Sequence, residues 1–439
     1  MRDLNAHNNL CGSVFKRAEY VEFKNILKRY VKIKHMIKTE QVSSSLSLIQ
    51  DYDNKYIKKE DFVSVFESAL GEGSITTETY NNRCIVYVYK HDGKEDHFLV
   101  ANVVYLGNPH PHFKKRIELK KWYREYYSEH KNDSNITIRL IGLYTYDAVN
   151  VFVNFKIDSY LGNEFNNSAA HVYTNDIFQA LKYGTFQKED ASGNLITTIR
   201  RDKFKEYLEG DCSCENKLFN LFDRFNCGFP FGKWITAVKA ICEMRDKDFS
   251  KWRETEWQGW FLELRFWEFT DQEKCKELMK YSRDFTDLEK EFDFDIYFKE
   301  FDFYGDLKTS SVDEVEVCLN AQDSIIPCLM KYEKMWYVVY EHLTEKDLEY
   351  NSEMAKERMA LIGKPYIEGG QISYQRRMKH SVNFQRMKII ELNRINYHEA
   401  LSEFNQGRQP NGSSRKPKFK INKKNIDNFI VYSYNGVQK

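Results

Sequence analysis

Residues Phe292–Ser311, FDFDIYFKEFDFYGDLKTSS, decide how this chain is read. In an extended chain, successive side chains alternate between two faces. Asp293 and Asp295 then share one face of a first strand, with Phe292, Phe294, Ile296 and Phe298 on the other. In a second strand Asp302, Tyr304, Asp306 and Lys308 lie together, opposite Phe301, Phe303 and Leu307. Aspartate is depleted in strands because it gains little on a pleated, half-buried surface. Several on neighbouring strands need a reason, and a bound divalent cation supplies one. The plainer alternative is an acidic hairpin in water, with Lys308 in a surface ion pair.

Outward from this hairpin the pattern is mixed. Lys217–Phe225, Trp234–Met244 and Trp252–Phe269 have helical spacing, and so does Asn320–Lys334 despite Pro327. Met335–Glu341, MWYVVYE, is an apolar run suited to a strand inside a sheet. Further upstream, Arg83–Tyr89 and His97–Leu106 read as strands joined through His91-Asp92-Gly93. Lys114–Tyr127 reads as a helix, and Ile136–Thr145 and Val149–Ile157 as strands. Tyr56–Leu70 and the basic, amphipathic Val14–Lys38 are helix candidates. The sequence predicts a long basic helix over Ser373–Glu403, then an open linker from Gly407 to Pro417. The expected divisions are a helical segment (1–75), a mixed α/β domain (76–210), a catalytic core (211–350) and a basic helical C-terminal region (351–439).

The 439 residues are enough for two or three domains. A formal net charge of +1 conceals a strong asymmetry. Residues 371–439 hold 14 Lys and Arg against 4 Asp and Glu, whereas 251–350 hold 13 against 25. An acidic centre beside a basic tail suits a polyanion-binding protein with a metal-dependent site. The nine cysteines lack regular spacing, and Cys212, Cys214, Cys227 and Cys242 lack the second matched pair of a zinc site. Without a secretory signal or a membrane-length apolar run, a soluble cytoplasmic protein is expected. A Walker-type phosphate loop and a G-x-S-x-G elbow are both absent from the sequence.

The order helix, Asp strand, Asp-x-Lys strand, helix, strand resembles the PD-(D/E)XK nuclease core shared by many type II restriction endonucleases. Asp295 and Asp306 are separated by ten residues, and Asp306-Leu307-Lys308 supplies the Asp-x-Lys element. The resemblance spans about Glu254 to Glu341. It departs from the family pattern in having no Pro before Asp295 and Asp where Glu is commoner, and Asp293 and Asp302 compete for the first position. The resemblance implies a central mixed sheet flanked by helices, an α/β (α+β) fold carrying a separate N-terminal α/β domain. It also implies Mg²⁺, with Mn²⁺ as a substitute, held by Asp295, Asp306 and Glu263. Lys308 would position the attacking water, and Thr309 and Ser310 would contact the phosphate. Glu256 is the alternative helix carboxylate. The implied activity is site-specific cleavage of double-stranded DNA by a homodimer. A non-catalytic nucleic-acid-binding protein and a nuclease acting on RNA or modified DNA are the competing expectations.

Candidate DNA contacts are Lys114, Lys115 and Arg116, read as a basic loop entering a helix. Arg376, Arg377 and Lys379, with Arg386 and Lys388, are read on the basic C-terminal helix. His110 and His112 are weaker metal-ligand candidates, and Trp122, Tyr123, Tyr126 and Tyr127 are read mainly as core.

Overall fold

A computed structural model describes residues 37–437 except 54–55, 92, 163–167, 191–192, 211–215, 255, 348–352, 362, 368–378 and 405–414. The helix expected at Val14–Lys38 and most of the 407–417 linker lie outside the described residues.

The N-terminal half opens with a hairpin of β1 (Lys38–Val42) and β2 (Leu48–Tyr52), then α1 (Phe62–Leu70). The strands β3 (Ile75–Tyr80), β4 (Cys84–His91) and β5 (Lys94–Asn102) follow, then β6 (Val104–Tyr105), β7 (Lys114–Glu118) and α2 (Lys121–His130). After these come β8 (Ile136–Tyr146), β9 (Val149–Phe155), β10 (Ala169–Tyr173), α3 (Thr174–Tyr183), β11 (Thr185–Glu189), β12 (Leu195–Arg200) and α4 (Phe204–Glu209). Seven strands form one mixed sheet in the order β11-β12-β9-β8-β5-β4-β3, and β10-β7-β6 form a small second one. The helix expected over Lys114–Tyr127 is therefore strand at its start. Lys115 and Ile117 are buried between half-buried neighbours, a period-two pattern, and β7 pairs with β10 more than fifty residues downstream.

The C-terminal half begins with α5 (Lys217–Gly228), β13 (Trp234–Thr236), α6 (Ala237–Asp246) and α7 (Trp257–Thr270). The strands β14 (Lys280–Tyr281), β15 (Ile296–Phe298), β16 (Phe303–Ser311) and β17 (Glu316–Ala321) lead to α8 (Gln322–Tyr332) and β18 (Lys334–Lys346). The chain continues through β19 (Lys379–Asn393), β20 (Leu401–Phe404), β21 (Lys418–Asn422) and β22 (Ile430–Asn435). The main sheet runs β13-β19-β18-β16-β15-β14, with β22 also on β19, and β17-β21-β20 form a separate sheet. β16 and β18 are parallel, so the chain between them crosses over through α8.

The expected basic helical C-terminal region is overturned by β19, which pairs with β18 along thirteen residues inside the main sheet. Its misreading has a physical cause. The pairing steps from Glu341↔Arg386 to His342↔Phe384, leaving Gln385 as an extra residue. Val382 and Phe384, then Met387 and Ile389, consequently pack into one core from positions of opposite parity. That spacing of two, three and two imitates a helical stripe.

The two halves share one hydrophobic core. Val86, Leu140 and Phe155 belong to the same cluster as Tyr304, Tyr337 and Ile430. Leu307, Trp336, Tyr340 and Ile389 pack into a second cluster with α5, α6 and α7. A buried ion pair lies at the junction. Lys188 and Asp176, 0% and 1% exposed, are 2.7 Å apart, and Lys188 also donates to the Asp427 carbonyl at 2.5 Å. Lys188→Met leaves a buried carboxylate unpaired and is expected to cost about 3–5 kcal/mol. Denaturant titration measures this, and a loss below ~1 kcal/mol would refute it. Among the described residues, no helix is long and apolar enough to cross a membrane.

Candidate active site

The antiparallel hairpin of β15 and β16 sets Ile296 opposite Gly305. Asp295, one residue before, therefore faces Asp306, one residue after. Such register is fixed by aromatic packing: Phe298 and Phe303 pack tilted at 30° with centroids 4.6 Å apart, and both meet Trp336 edge-on. Gly305 permits this closeness. A Cβ there would fall 2.8 Å from Phe298 Cε2 and 3.3 Å from the Trp336 carbonyl. Gly305→Ala is expected to cost about 1–3 kcal/mol through overpacking, read as a lower midpoint in thermal unfolding. An unchanged midpoint would refute that constraint.

Asp306 is 2% exposed. It is ion-paired with the Lys308 ammonium two residues on and accepts from Asn320 Nδ2 at 3.3 Å. The Asp295 carboxylate accepts from the Leu307 N–H at 2.9 Å. Glu263, on α7, accepts from the Tyr281 hydroxyl of β14 at 2.5 Å. Tyr337, fully buried on β18, is in parallel register with Asp306. The predicted quartet Asp295, Asp306, Lys308 and Glu263 is thus gathered from a helix and a hairpin.

Their electrostatics are coupled. Burial pushes the Glu263 carboxyl up to about 7, and Asp306 pushes the same way against the Tyr281 hydrogen bond and Lys308. Burial, then the charges of Asp306 and Glu263, hold Asp295 well above the usual carboxylate range. Burial alone would lower Lys308, but Asp306 and Asp295 outweigh it and raise its pKa above the ordinary lysine value. Three carboxylates therefore share one ammonium. Fully ionised, the group carries an excess of two negative charges.

That donor set fits Mg²⁺ in chemistry, because hard divalent cations take oxygen ligands, and in charge, because a dication would cancel the excess. In this conformation Lys308 provides the counter-charge at Asp306. Among the described residues, no three His, Cys, Asp or Glu side chains converge as a ready-made metal centre.

The competing aspartates fall outside the group. Asp293 is exposed, and its carbonyl accepts from Asn320 Nδ2 at 3.0 Å. Asp302 is exposed in the turn between β15 and β16, at φ 50°, and accepts from the Tyr297 hydroxyl at 2.6 Å. Of the three, Asp295 is the one that faces Asp306. Glu256 caps no ligand set either: it bonds Gln258 at 2.7 Å and Lys379 at 3.4 Å. Ser310 is buried against Glu314 at 2.9 Å, and Thr309 stays half-buried next to it.

The expected DNA contacts fare unevenly. Lys115 is buried, 3.0 Å from both Asp53 Oδ1 and Thr39 Oγ1, so its amine has no access to a phosphate. Lys114 and Arg116 flank it on β7 rather than on a loop. Lys379 opens β19, whereas Arg376 and Arg377 lie outside the described residues. Lys388 is buried, and Arg386 pairs with the buried Glu341, so neither lies along an outer helix face. Tyr281, Asn320 and Tyr337 were not foreseen as site residues. Only Tyr337 had a usable signal, since a parallel partner for the Asp-x-Lys strand was implied by the helix between β16 and β18.

One comparison with known proteins gives a match: the family described as Methylase-associated X1 covers residues 94–208. This segment runs from β5 into α4 and lies wholly outside the Asp-x-Lys hairpin. No curated protein and no solved structure matches the chain.

Proposed function

We propose that this chain is a Mg²⁺-dependent, site-specific endonuclease for double-stranded DNA, acting in a restriction-modification system. The observation that carries the reading is the gathering of Asp295, Asp306, Lys308 and Glu263 at one end of the β15–β16 hairpin. Two further features support it. The order α7, β14, β15, β16, β17, α8, β18, with β18 parallel to β16, is compatible with the nuclease core that the motif resembles. The methylase-associated segment at 94–208 supports a modification partner.

In this reading Asp295 and Asp306 hold the ion and Glu263 completes its surroundings. Bound Mg²⁺ supplies Lewis acidity and a more acidic water. The remaining work belongs to the chain. Lys308, kept protonated by two carboxylates, places a positive charge where a phosphate develops negative charge. Glu263, titrating at about 7, holds or releases a proton near neutral pH. The Tyr281 hydroxyl fixes the direction of the Glu263 carboxylate. Since one such site cuts one strand, a homodimer is the form that cuts a duplex.

The test is incubation of the purified chain with unmethylated plasmid and phage DNA, with Mg²⁺ or with chelator, followed by sequencing of the ends. Discrete Mg²⁺-dependent fragments are expected. Intact DNA in every arm, with no Mg²⁺-linked rise in melting temperature, would favour a non-catalytic binding protein. Cleavage confined to RNA or to modified DNA would move the substrate class.

A further inference from the structure

A crevice of about 230 Å³ lies in the N-terminal half, away from the carboxylate cluster, between the segment leading into α1 and the β7–α2 corner. Among the described residues, its lining brings together Lys59, Arg116 and Lys120, with Glu118 as the one carboxylate, a net charge of +2. Among the described residues, none of these three cations has an ion-pair partner. Burial, then the nearby charge of Lys59, lowers the Lys120 pKa. Lys59 and Lys120 are thus held close, with the nearby Glu118 only partly offsetting them.

The second observation concerns the backbone. Lys120 is the N-cap of α2; no side chain caps that end, and its first turn contains no acid. A ten-residue helix with no side-chain cap carries a partial positive charge at its N-terminus, where Lys120 and Trp122 line the crevice. The third is aromatic: Trp122 is half-buried on the wall, and Tyr56 is 72% exposed at the mouth. The volume is below the roughly 300–1,000 Å³ of drug-sized sites and suits one phosphate with one base.

We infer that this crevice binds a nucleotide, its phosphate against Lys59, Arg116, Lys120 and the α2 N-terminus and its base stacked on Tyr56 and Trp122. Aromatic faces accept any base, so the pocket reads the phosphate and the presence of a ring rather than base identity. The ligand is either a free nucleotide or one nucleotide turned out of a DNA strand. Most of the lining lies in the methylase-associated segment.

Calorimetric titration of the full chain in EDTA, where nothing is cut, tests this with dAMP, dCMP, dGMP and TMP, and separately with a short DNA duplex. Saturable binding is expected, weakened roughly tenfold or more by Arg116→Gln, by Lys120→Gln and by Tyr56→Ala. Tyr56 is exposed enough that its variant should keep the native melting temperature. Binding of the monophosphates identifies a free nucleotide, and binding of the duplex alone identifies a nucleotide within DNA; either supports the pocket. No binding in any arm, inorganic phosphate binding as tightly as nucleotides, or an affinity indifferent to all three substitutions would overturn it. Because the monophosphate arms contain no divalent ion, no duplex and no cleavage readout, their failure leaves the nuclease reading untouched.

Discussion

Lys308→Ala is expected to lower Mg²⁺-dependent cleavage by about 10²- to 10⁴-fold, the range for losing a positioned proton-transfer or charge-stabilising group. Among the described residues, Lys308 is the only cation ion-paired within the carboxylate group, and the surrounding carboxylates keep it protonated. The change also strips the buried Asp306 of its counter-charge, so the variant must be assayed below its own melting temperature. Mg²⁺ should still raise that temperature, because the carboxylates are intact. A variant that folds, is stabilised by Mg²⁺ and cleaves at the parental rate would remove Lys308 from the chemistry.

The opposite sign is expected for Glu263→Gln, which should abolish or severely reduce cleavage while stabilising the metal-free protein. Glu263 titrates near 4.5 when unperturbed and at about 7 in the folded chain. A raised carboxyl pKa means that the folded state holds the proton more tightly. Stability is then full below about 4.5 and is lost as pH rises through about 7. Glutamine cannot ionise but still accepts the Tyr281 hydroxyl. At pH 8 in chelator the variant should gain on the order of 1–2 kcal/mol, less than the full shift implies because Glu263 is only partly buried. At pH 4 it should gain nothing. Thermal melts at the two pH values measure this, and a variant less stable than the parent at pH 8 would sink the argument. Mg²⁺ should reverse the order by stabilising the parent more. The site thus weakens the apo protein through charges that a dication would offset, a familiar cost of function.

What the sequence disclosed follows the range of its interactions. Asp295, Asp306 and Lys308 were legible because a short hairpin joins them, and period-two alternation puts Asp306 and Lys308 on one face whatever surrounds it. The ten-residue spacing to Asp306 favoured Asp295 over Asp302, and the turn places Asp302 apart, in the left-handed conformation that Asp tolerates. Glu263 was legible as a helix carboxylate upstream, whereas its partner Tyr281 sits on a two-residue strand with no pattern to betray it. Lys115 was unreadable for a different reason. Its partner Asp53 is 62 residues away, and a buried lysine looks like any other until that contact exists. The C-terminal region misled through one extra residue, Gln385, which shifts an alternating strand into helical spacing.

The interior position of β19 has a consequence for when the protein becomes active. Its neighbour β18 belongs to the same sheet as the Asp-x-Lys strand, yet β19 is contributed from residues 379–393 and β22 from 430–435. During synthesis the hairpin bearing Asp295, Asp306 and Lys308 leaves the ribosome well before the strand that closes the sheet behind it. Pairings of such long sequence separation form late. A nascent chain therefore holds Asp295, Asp306 and Lys308 without the sheet frame that aligns them, and a truncated chain never acquires it. On the proposed function, activity would be withheld until the C-terminal strands are translated, which would protect the cell that makes the protein.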